Sequence, residues 1–391
     1  MSQTTSLAAG RVIGVDVARA LALFGMVLAH LADSTPAGSA EVSPWFQLVA
    51  GRSAALFAVL AGLSLVISSR HDGVLRPGAR RTIATRALLV AALGLLLGPF
   101  GAVAGVAVIL TYYGVLFLFA LPVLGWSART LALLACGWAV AAPTLSLLLR
   151  ASLPQAAPQI PQPGSLLDPV GLLAELLLTG YYPCLTWATY LFAGMAIGRL
   201  DLRRAAVCAR LAAGGLVLAA GSRVTSGWVL GSPELARRLL ASDDIVGAPS
   251  TVAELRTEVA LGFFGTTPTG SPWWLAVWAP HSGSIVDLVH TTGCAMAVIG
   301  LCVLLTQRLT GAARRVVVVT FGAGQMTLTL YTVHVLMAAA AQATPLTSNV
   351  AFGVVILALI GALVAWLGAP GPLERWVSLT TQHAADRWTW R

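Results

Sequence analysis

Lysine is missing altogether: the 391 residues hold 24 basic side chains, and every one is arginine. Lysine Schiff-base and lysine general-base chemistry are therefore excluded. Charge of either sign is scarce, with Asp, Glu and Arg together making up 10% of the chain. An ordinary soluble domain carries about 25%, so there is too little polar side chain to cover a water-soluble fold of this size. A cytosolic enzyme, a nucleic-acid binder and a disordered chain are excluded on the same ground. Cysteine is sparse and odd in number: the five (Cys136, Cys184, Cys208, Cys294, Cys302) lie mostly in apolar runs, without a C-x-x-C pair or a Cys/His metal spacing. They read as reduced packing residues, not as a disulfide framework or zinc site. P-loop, dinucleotide-binding and Ser-His-Asp patterns are also missing.

What is present is apolar. Hydrophobic residues make up 57% of the chain, and the mean hydropathy is +0.83. At about 20 residues per span, the chain reads as an all-α polytopic transmembrane bundle of about ten spans, with eleven as the upper count. The apolar runs cover 12–32, 46–68, 86–101, 105–125, 130–149, 172–198, 206–229, 286–306, 316–341 and 349–368. The whole of 1–391 reads as one integral membrane domain. The first run carries Asp16, Arg19 and His30 and has no small-residue cleavage site, so it is expected to stay in the mature protein.

Arginine placement gives the orientation. With ten alternating spans and both termini on one side, 17 of the 24 Arg fall on that side, five (Arg150, Arg223, Arg237, Arg238, Arg256) fall opposite, and Arg19 and Arg52 lie within spans. Arg-rich short loops mark the cytoplasmic face, so both termini are expected there, and the net charge of +9 reflects topology. Two extracytoplasmic loops are long, 150–168 and 230–285. Trp45, Tyr181, Tyr182, Trp187, Trp273, Trp274 and Trp278 fall where an outer aromatic belt belongs. Gly94-x-x-x-Gly98, Gly101-x-x-x-Gly105 and Gly194-x-x-x-Gly198 suit close helix packing. No internal repeat of the kind that builds inverted-half transporters is visible.

Ionisable groups inside spans are costly, by about 3 kcal/mol each on insertion scales, and point to function. Asp16, Arg19, Leu23, Met26 and His30 fall on one helical stripe. Asp16 and Arg19 can pair at i,i+3 near the cytoplasmic end. His30 lies fourteen residues on, about 21 Å away at 1.5 Å per residue, near the outer face. As a structural reading, Asp16–Arg19 is a packing pair and His30 an interfacial side chain; as a functional one, His30 suits base chemistry. Arg52 suits an anionic headgroup, a phosphate or a carboxylate, or else snorkels. His281 opens a loop-to-helix entry in which Ser284 can serve as N-cap. His290 follows Asp287 at i,i+3 and reads more readily as a hydrogen-bonded core residue. His334 shares a face with Thr327 and Tyr331. Together these groups suggest a polar chamber opening outward, while His71 and His383 fall in basic, solvent-facing segments.

Arg11-x-x-x-Val15-Asp16-x-x-Arg19-Ala20-x-Ala22 resembles the opening motif of the transmembrane acyltransferase superfamily, which includes heparan-α-glucosaminide N-acetyltransferase-like and YeiB-like bacterial proteins. Further islands keep the family order: Gly51-Arg52-Ser53 with Phe57 and Gly62, Tyr190 to Arg199, Pro280-His281-Ser282-Gly283, Gly322 to His334, and Gly371-Pro372-Leu373-Glu374. Ala20 stands where the family usually has Gly, and the long loop before Pro280 has no family counterpart. The resemblance implies a bundle of ten or eleven helices in a bacterial plasma membrane. It also implies transfer of an acyl group, typically acetyl, from cytoplasmic acyl-CoA to an extracytoplasmic sugar or lipid-linked acceptor, without a metal. On that basis His30, His281 and His334 are the expected catalytic groups. Arg52, Ser282 and Tyr331 are expected on the acceptor, and Asp16 and Arg19 on acetyl-CoA. His30 serves as general base or as acyl carrier. A small-solute transporter or channel lined by the same charges is the alternative, a non-catalytic partner protein is a third reading, and a homo-oligomer remains open.

Overall fold

The structure, a computed structural model, describes residues 12–36, 41–71, 73–153, 159–242, 244–245, 247–342 and 350–386. Arg11, Pro154, Pro158, Asp243, Arg387 and Arg391, and the side chain of His383, lie outside them. The described residues are mainly helical with almost no strand, and the protein is an integral membrane protein. Six helical stretches are long and apolar enough to cross a bilayer, and five shorter apolar helices accompany them.

The long apolar runs form helices where no Gly or Pro interrupts them. The first is α1 (Ile13–Leu31). Pro44 then starts the short α2 (Pro44–Val49). At Gly51 the backbone takes a left-handed turn, φ +72°, a region that glycine enters without steric cost. The turn re-aims the chain into α3 (Arg52–Ser69). Arg52 is therefore the first residue of a helix rather than one inside a continuous span. A two-residue hairpin pairing Arg70 with Leu75 leads to α4 (Ala79–Ala104), which ends on the left-handed Gly105. α5 (Leu110–Val123) and α6 (Ala128–Arg150) follow, the latter capped by Ser127, whose hydroxyl accepts from the Thr130 N–H.

Two further expected spans are broken. Residues 172–198 fold as α7 (Pro169–Ala174), a wide turn over Glu175–Thr179, a bend, and α8 (Cys184–Ile197). Gly180 and Pro183 interrupt the backbone ladder there, and Pro183 lacks an N–H. After α9 (Ala205–Gly231), the 230–285 segment is a folded cap rather than an open loop. It contains α10 (Pro233–Leu240) and α11 (Val252–Leu261). Leu235, Leu239, Leu255, Val259, Phe263 and Trp274 close a second small core there. The helix of 286–306 appears as α12 (Ile285–Gln307), and Ser284 caps it as expected, accepting from the Asp287 N–H. Residues 316–341 split into α13 (Gly311–Thr320), a tight turn at Gly322–Gln325, and α14 (Thr327–Ala341). α15 (Val350–Trp366) and α16 (Pro372–Asp386) end the described chain.

The fold is centred on α1, which packs against α3, α12, α14, α15 and the Gly322–Gln325 turn. Leu23, Leu60, Leu63, Leu191 and Leu330 are fully buried at that centre. α9 packs along α12, and α3 along α8. Gly194 of α8 lies so close to the Val59 carbonyl of α3 that no Cβ fits, which gives the expected small-residue contact a physical basis. The outer faces carry Leu88, Leu96, Val217, Val224, Leu305 and Leu359 exposed, as suits helices facing lipid tails.

Candidate functional site

The N-terminal end of α1 carries the expected pair: Arg19 Nη1 donates to Asp16 Oδ1 at 2.8 Å, and Nη2 donates to Ser64 Oγ of α3 at 2.7 Å. Neither residue lines the large cavity at this end of the bundle, which holds about 640 Å³. Ser68, Ser69, Arg76, Thr82, Arg86 and Glu374 are among its lining residues. This volume falls within the range of about 300–1,000 Å³ usual for small-molecule sites. The Arg86 Nε is buried without a hydrogen-bond partner. In the sequence Arg86 is one of five arginines, with Arg70, Arg76, Arg80 and Arg81, that follow the second apolar run on the side expected to be cytoplasmic. In the fold it belongs to the third turn of α4, and its place in the cavity wall comes from α14 and α16, far along the chain.

Glu374 is a second residue to which the sequence attached no role. Its Oε1 accepts from the Leu328 N–H at 2.7 Å and the Thr329 N–H at 3.2 Å, and its Oε2 accepts from the Thr329 hydroxyl at 2.6 Å. One carboxylate on α16 thus satisfies the free donors at the start of α14, the helix that carries Tyr331 and His334. Glu374→Ala is expected to lower stability by about 2 kcal/mol, since a cap and a charge-assisted bond go together. The thermal unfolding midpoint of the purified variant checks this, and Glu374→Gln is expected to recover part of the loss.

At the other end of α1 the chain brings His30 and His334 together: His30 Nδ1 lies 3.0 Å from His334 Nε2, and the rings are parallel within 7°. A hydrogen bond between two imidazole nitrogens needs one donor and one acceptor, so a single proton lies between these two atoms. His30 opens onto a small chamber of about 100 Å³ lined also by Met26, Phe46, Ser53, Tyr182, His281 and Tyr331. At about 30 Å³ per liquid water, it has room for an acetyl-sized group but not for a whole sugar. The Tyr331 hydroxyl accepts from the Ile109 N–H at 3.2 Å, which leaves its own proton free to donate.

His281 has a left-handed backbone, φ +57°, a conformation uncommon outside glycine and enriched in His. Its ring stacks on Trp187 and meets Tyr182 edge-on. Backbone bonds from Phe263 N–H to the Pro280 carbonyl and from Gly265 N–H to the His281 carbonyl hold the turn.

Not all expected groups meet in the chamber. His30, His281 and Tyr331 line it and His334 backs it. Ser282 is buried, its hydroxyl accepting from the Ser284 N–H at 3.3 Å, and it lines neither cavity. Arg52 points away towards α12. Its Nε donates to His290 Nε2 at 3.1 Å, its Nη1 donates to the Gln47 carbonyl, and its guanidinium lies 4.7 Å from the Trp278 ring centroid. His290 Nδ1 lies 3.0 Å from the Ala219 carbonyl. Accepting at Nε2 and donating at Nδ1, it is the hydrogen-bonded core residue that the sequence favoured.

The two cavities are linked by α14. Leu328 lines the large cavity and Tyr331 the small chamber, three residues or about 4.5 Å of helix rise apart. On α3 the linings are further apart, Ser53 and Ala54 against Leu65 and Ser68.

The family described as heparan-alpha-glucosaminide N-acetyltransferase, catalytic, matches residues 11–222, more than half of the chain. The match covers Asp16, Arg19, His30, Arg52 and Arg86, whereas His281, Tyr331, His334 and Glu374 lie beyond it. No curated protein matches the chain.

Proposed function

Because the chain belongs to the heparan-α-glucosaminide N-acetyltransferase catalytic family of membrane acetyltransferases, we propose that it moves an acetyl group from cytoplasmic acetyl-CoA to an extracytoplasmic sugar or lipid-linked acceptor. The observation that carries this reading is the His30–His334 pair on an acetyl-sized chamber, one turn of α14 from a much larger cavity. The nucleotide end of CoA occupies the large cavity, where Arg76 and Arg86 meet its phosphates. Its thioester arm reaches past Leu328 towards Tyr331. Arg-rich loops support a cytoplasmic position for this end, in a bundle of about ten spans within the plasma membrane.

The chemistry follows from the hydrogen bonds. With His30 Nδ1–H donating to His334 Nε2, the lone pair of His30 Nε2 is free. It takes the proton from an acceptor hydroxyl or amine as that atom attacks the thioester carbonyl. The Tyr331 O–H donates to the oxyanion that develops. Collapse breaks the carbon–sulfur bond, and the CoA thiolate leaves with the proton from His30. His281, beside the same chamber, holds the incoming acceptor. If His30 instead carries the acetyl group, mixing the protein with acetyl-CoA in the absence of acceptor will leave an acetylated protein, read by intact mass.

Acetyl-CoA binding tests the donor assignment. In nanodiscs, acetyl-CoA at 100 times its Kd is expected to stabilise the protein by about 2.7 kcal/mol, with ATP and desulfo-CoA as controls. Arg86→Gln is expected to weaken binding about tenfold, the value of one charge-assisted bond. Absent binding, together with proton-coupled solute uptake by vesicles without CoA, would turn the assignment to a transporter.

A further inference from the structure

Beside the chamber, on the far side of the Gly51–Arg52 turn, two arginines share one aromatic ring. The Arg52 guanidinium lies 4.7 Å and the Arg223 guanidinium 4.2 Å from the Trp278 ring centroid. Arg52 comes from the start of α3, Arg223 from the outer half of α9, and Trp278 from the segment that leads to His281. Among the described residues neither guanidinium has a carboxylate within ion-pair distance. Two like charges on one ring repel each other, and the stacking offsets only part of that cost. Trp278 is 3% exposed, yet its Nε1–H has no hydrogen-bond partner. A buried donor without a partner is unfavourable and calls for an explanation.

From Arg52 and Arg223 on one ring, together with the unpartnered Trp278 indole N–H, we infer that this place binds a phosphate group on the outer side of the membrane. Phosphate fits better than carboxylate because the donors come from three separate elements around one ring, and a tetrahedral anion has oxygens to meet each of them. The Trp278 ring and the Arg52 guanidinium are held in place. The Trp278 N–H of the backbone donates to Ser226 Oγ at 3.0 Å, and the His290 ring packs on the indole with centroids 5.2 Å apart. His290 takes the Arg52 Nε–H and anchors to the Ala219 carbonyl, which fixes the orientation of the guanidinium. Arg223 is the exposed member and lies where a ligand enters.

Only Ala279 and Pro280 separate Trp278 from His281, and Pro280 packs against Gly51 at the chamber wall. A phosphate bound here therefore belongs to a molecule whose adjoining part reaches the chamber. This deepens the acetyl-transfer reading and rests on it: the acceptor is a phosphorylated sugar or a lipid-linked phosphosugar. A phospholipid headgroup offers the same chemistry.

The test uses the full chain in maltoside micelles free of phosphate. Inorganic phosphate and a hexosamine phosphate are expected to raise the thermal midpoint saturably, and the unphosphorylated hexosamine is not. Arg223→Gln and Trp278→Phe are each expected to weaken the phosphate response about tenfold while leaving the ligand-free midpoint near that of the parent. Trp278→Phe removes the indole donor with the rest of the five-membered ring and keeps a smaller aromatic ring under the guanidiniums. A response to hexosamine phosphate identifies the acceptor as the source, and one confined to phosphatidylglycerol identifies a headgroup. No phosphate response, or a response in both variants equal to that of the parent, overturns the site. Acetyl transfer to the unphosphorylated hexosamine is measured on the same samples. Transfer without a phosphate response removes the site and keeps the enzyme, and a phosphate response without transfer to any acceptor does the reverse.

Discussion

His30→Ala is expected to lower acetyl transfer at least a thousandfold while leaving the Kd for acetyl-CoA within a factor of two. General-base catalysis contributes about 10²–10⁴ in rate, and His281, the other imidazole on the chamber wall, is held against Trp187 and Tyr182 and serves the acceptor. Tyr331 is committed to the Ile109 N–H, and the nearest imidazole, His334, points its Nε2 at His30. CoA binding is expected to survive because the large cavity shares no lining residue with the chamber. His334→Gln separates the two members of the pair. A glutamine can still receive the Nδ1–H bond through its carbonyl oxygen, so this variant is expected to keep a measurable rate, while His334→Ala drops further. If His30→Ala transfers acetyl at the parental rate, His30 has no part in the chemistry and the chamber is not the reaction site.

Legibility in the sequence followed the range of the interaction. The Asp16–Arg19 pair is a single helical turn, so i,i+3 spacing was enough to find it. The Ser284 cap was equally readable, because a hydroxyl three residues before Asp287 has one obvious donor to satisfy. His30 and His334 were each visible as polar groups near the outer face, and one family island ended on His334. Their contact at 3.0 Å is another matter, since it joins α1 to α14 across 304 residues and no local pattern encodes it. Arg86 failed for a related reason. A run of arginines before an apolar stretch looks like a cytoplasmic loop, and only the early start of α4 at Ala79 turns Arg86 onto a cavity wall.

Hydropathy also misjudged how the helices end. Apolar content stays high through Gly180–Pro183 and Gly322–Gly324, so a sliding average draws one span where the backbone has two pieces. In the 230–285 cap the reverse happened. Its Leu235/Leu239 and Leu255/Val259 pairs sit at helical spacing, but the charged residues between them gave a polar average. What closes that cap is Trp274, which is fully buried with its indole N–H on Ser242 at 3.0 Å, a long-range contact again.

The largest structural effect is expected at the α3–α8 contact. Gly194→Val places three carbons where the Val59 carbonyl now lies, with the Leu63 N 3.0 Å from the new Cβ. Both neighbours are backbone and cannot rotate away, and Gly62 makes the reciprocal close approach to the Leu191 carbonyl. The helices must therefore separate along the whole seam. Overpacking a core costs about 1–3 kcal/mol when side chains can adjust, and here none can, so a loss above about 3 kcal/mol is expected. It is read as failure to recover monodisperse protein or as a collapsed unfolding midpoint. The consequence reaches the chemistry, because α3 supplies Ser53 and Ala54 to the chamber and α8 supplies Trp187, on which His281 stacks. Gly137→Ala on α6, where nothing lies within 4 Å of the new Cβ, is the matched control. It is expected to be neutral or to stabilise by up to about 1 kcal/mol through helix propensity. Equal tolerance of the two substitutions would mean that α3 and α8 are not in backbone contact, and the wall that shapes the His30 chamber would have to be redrawn.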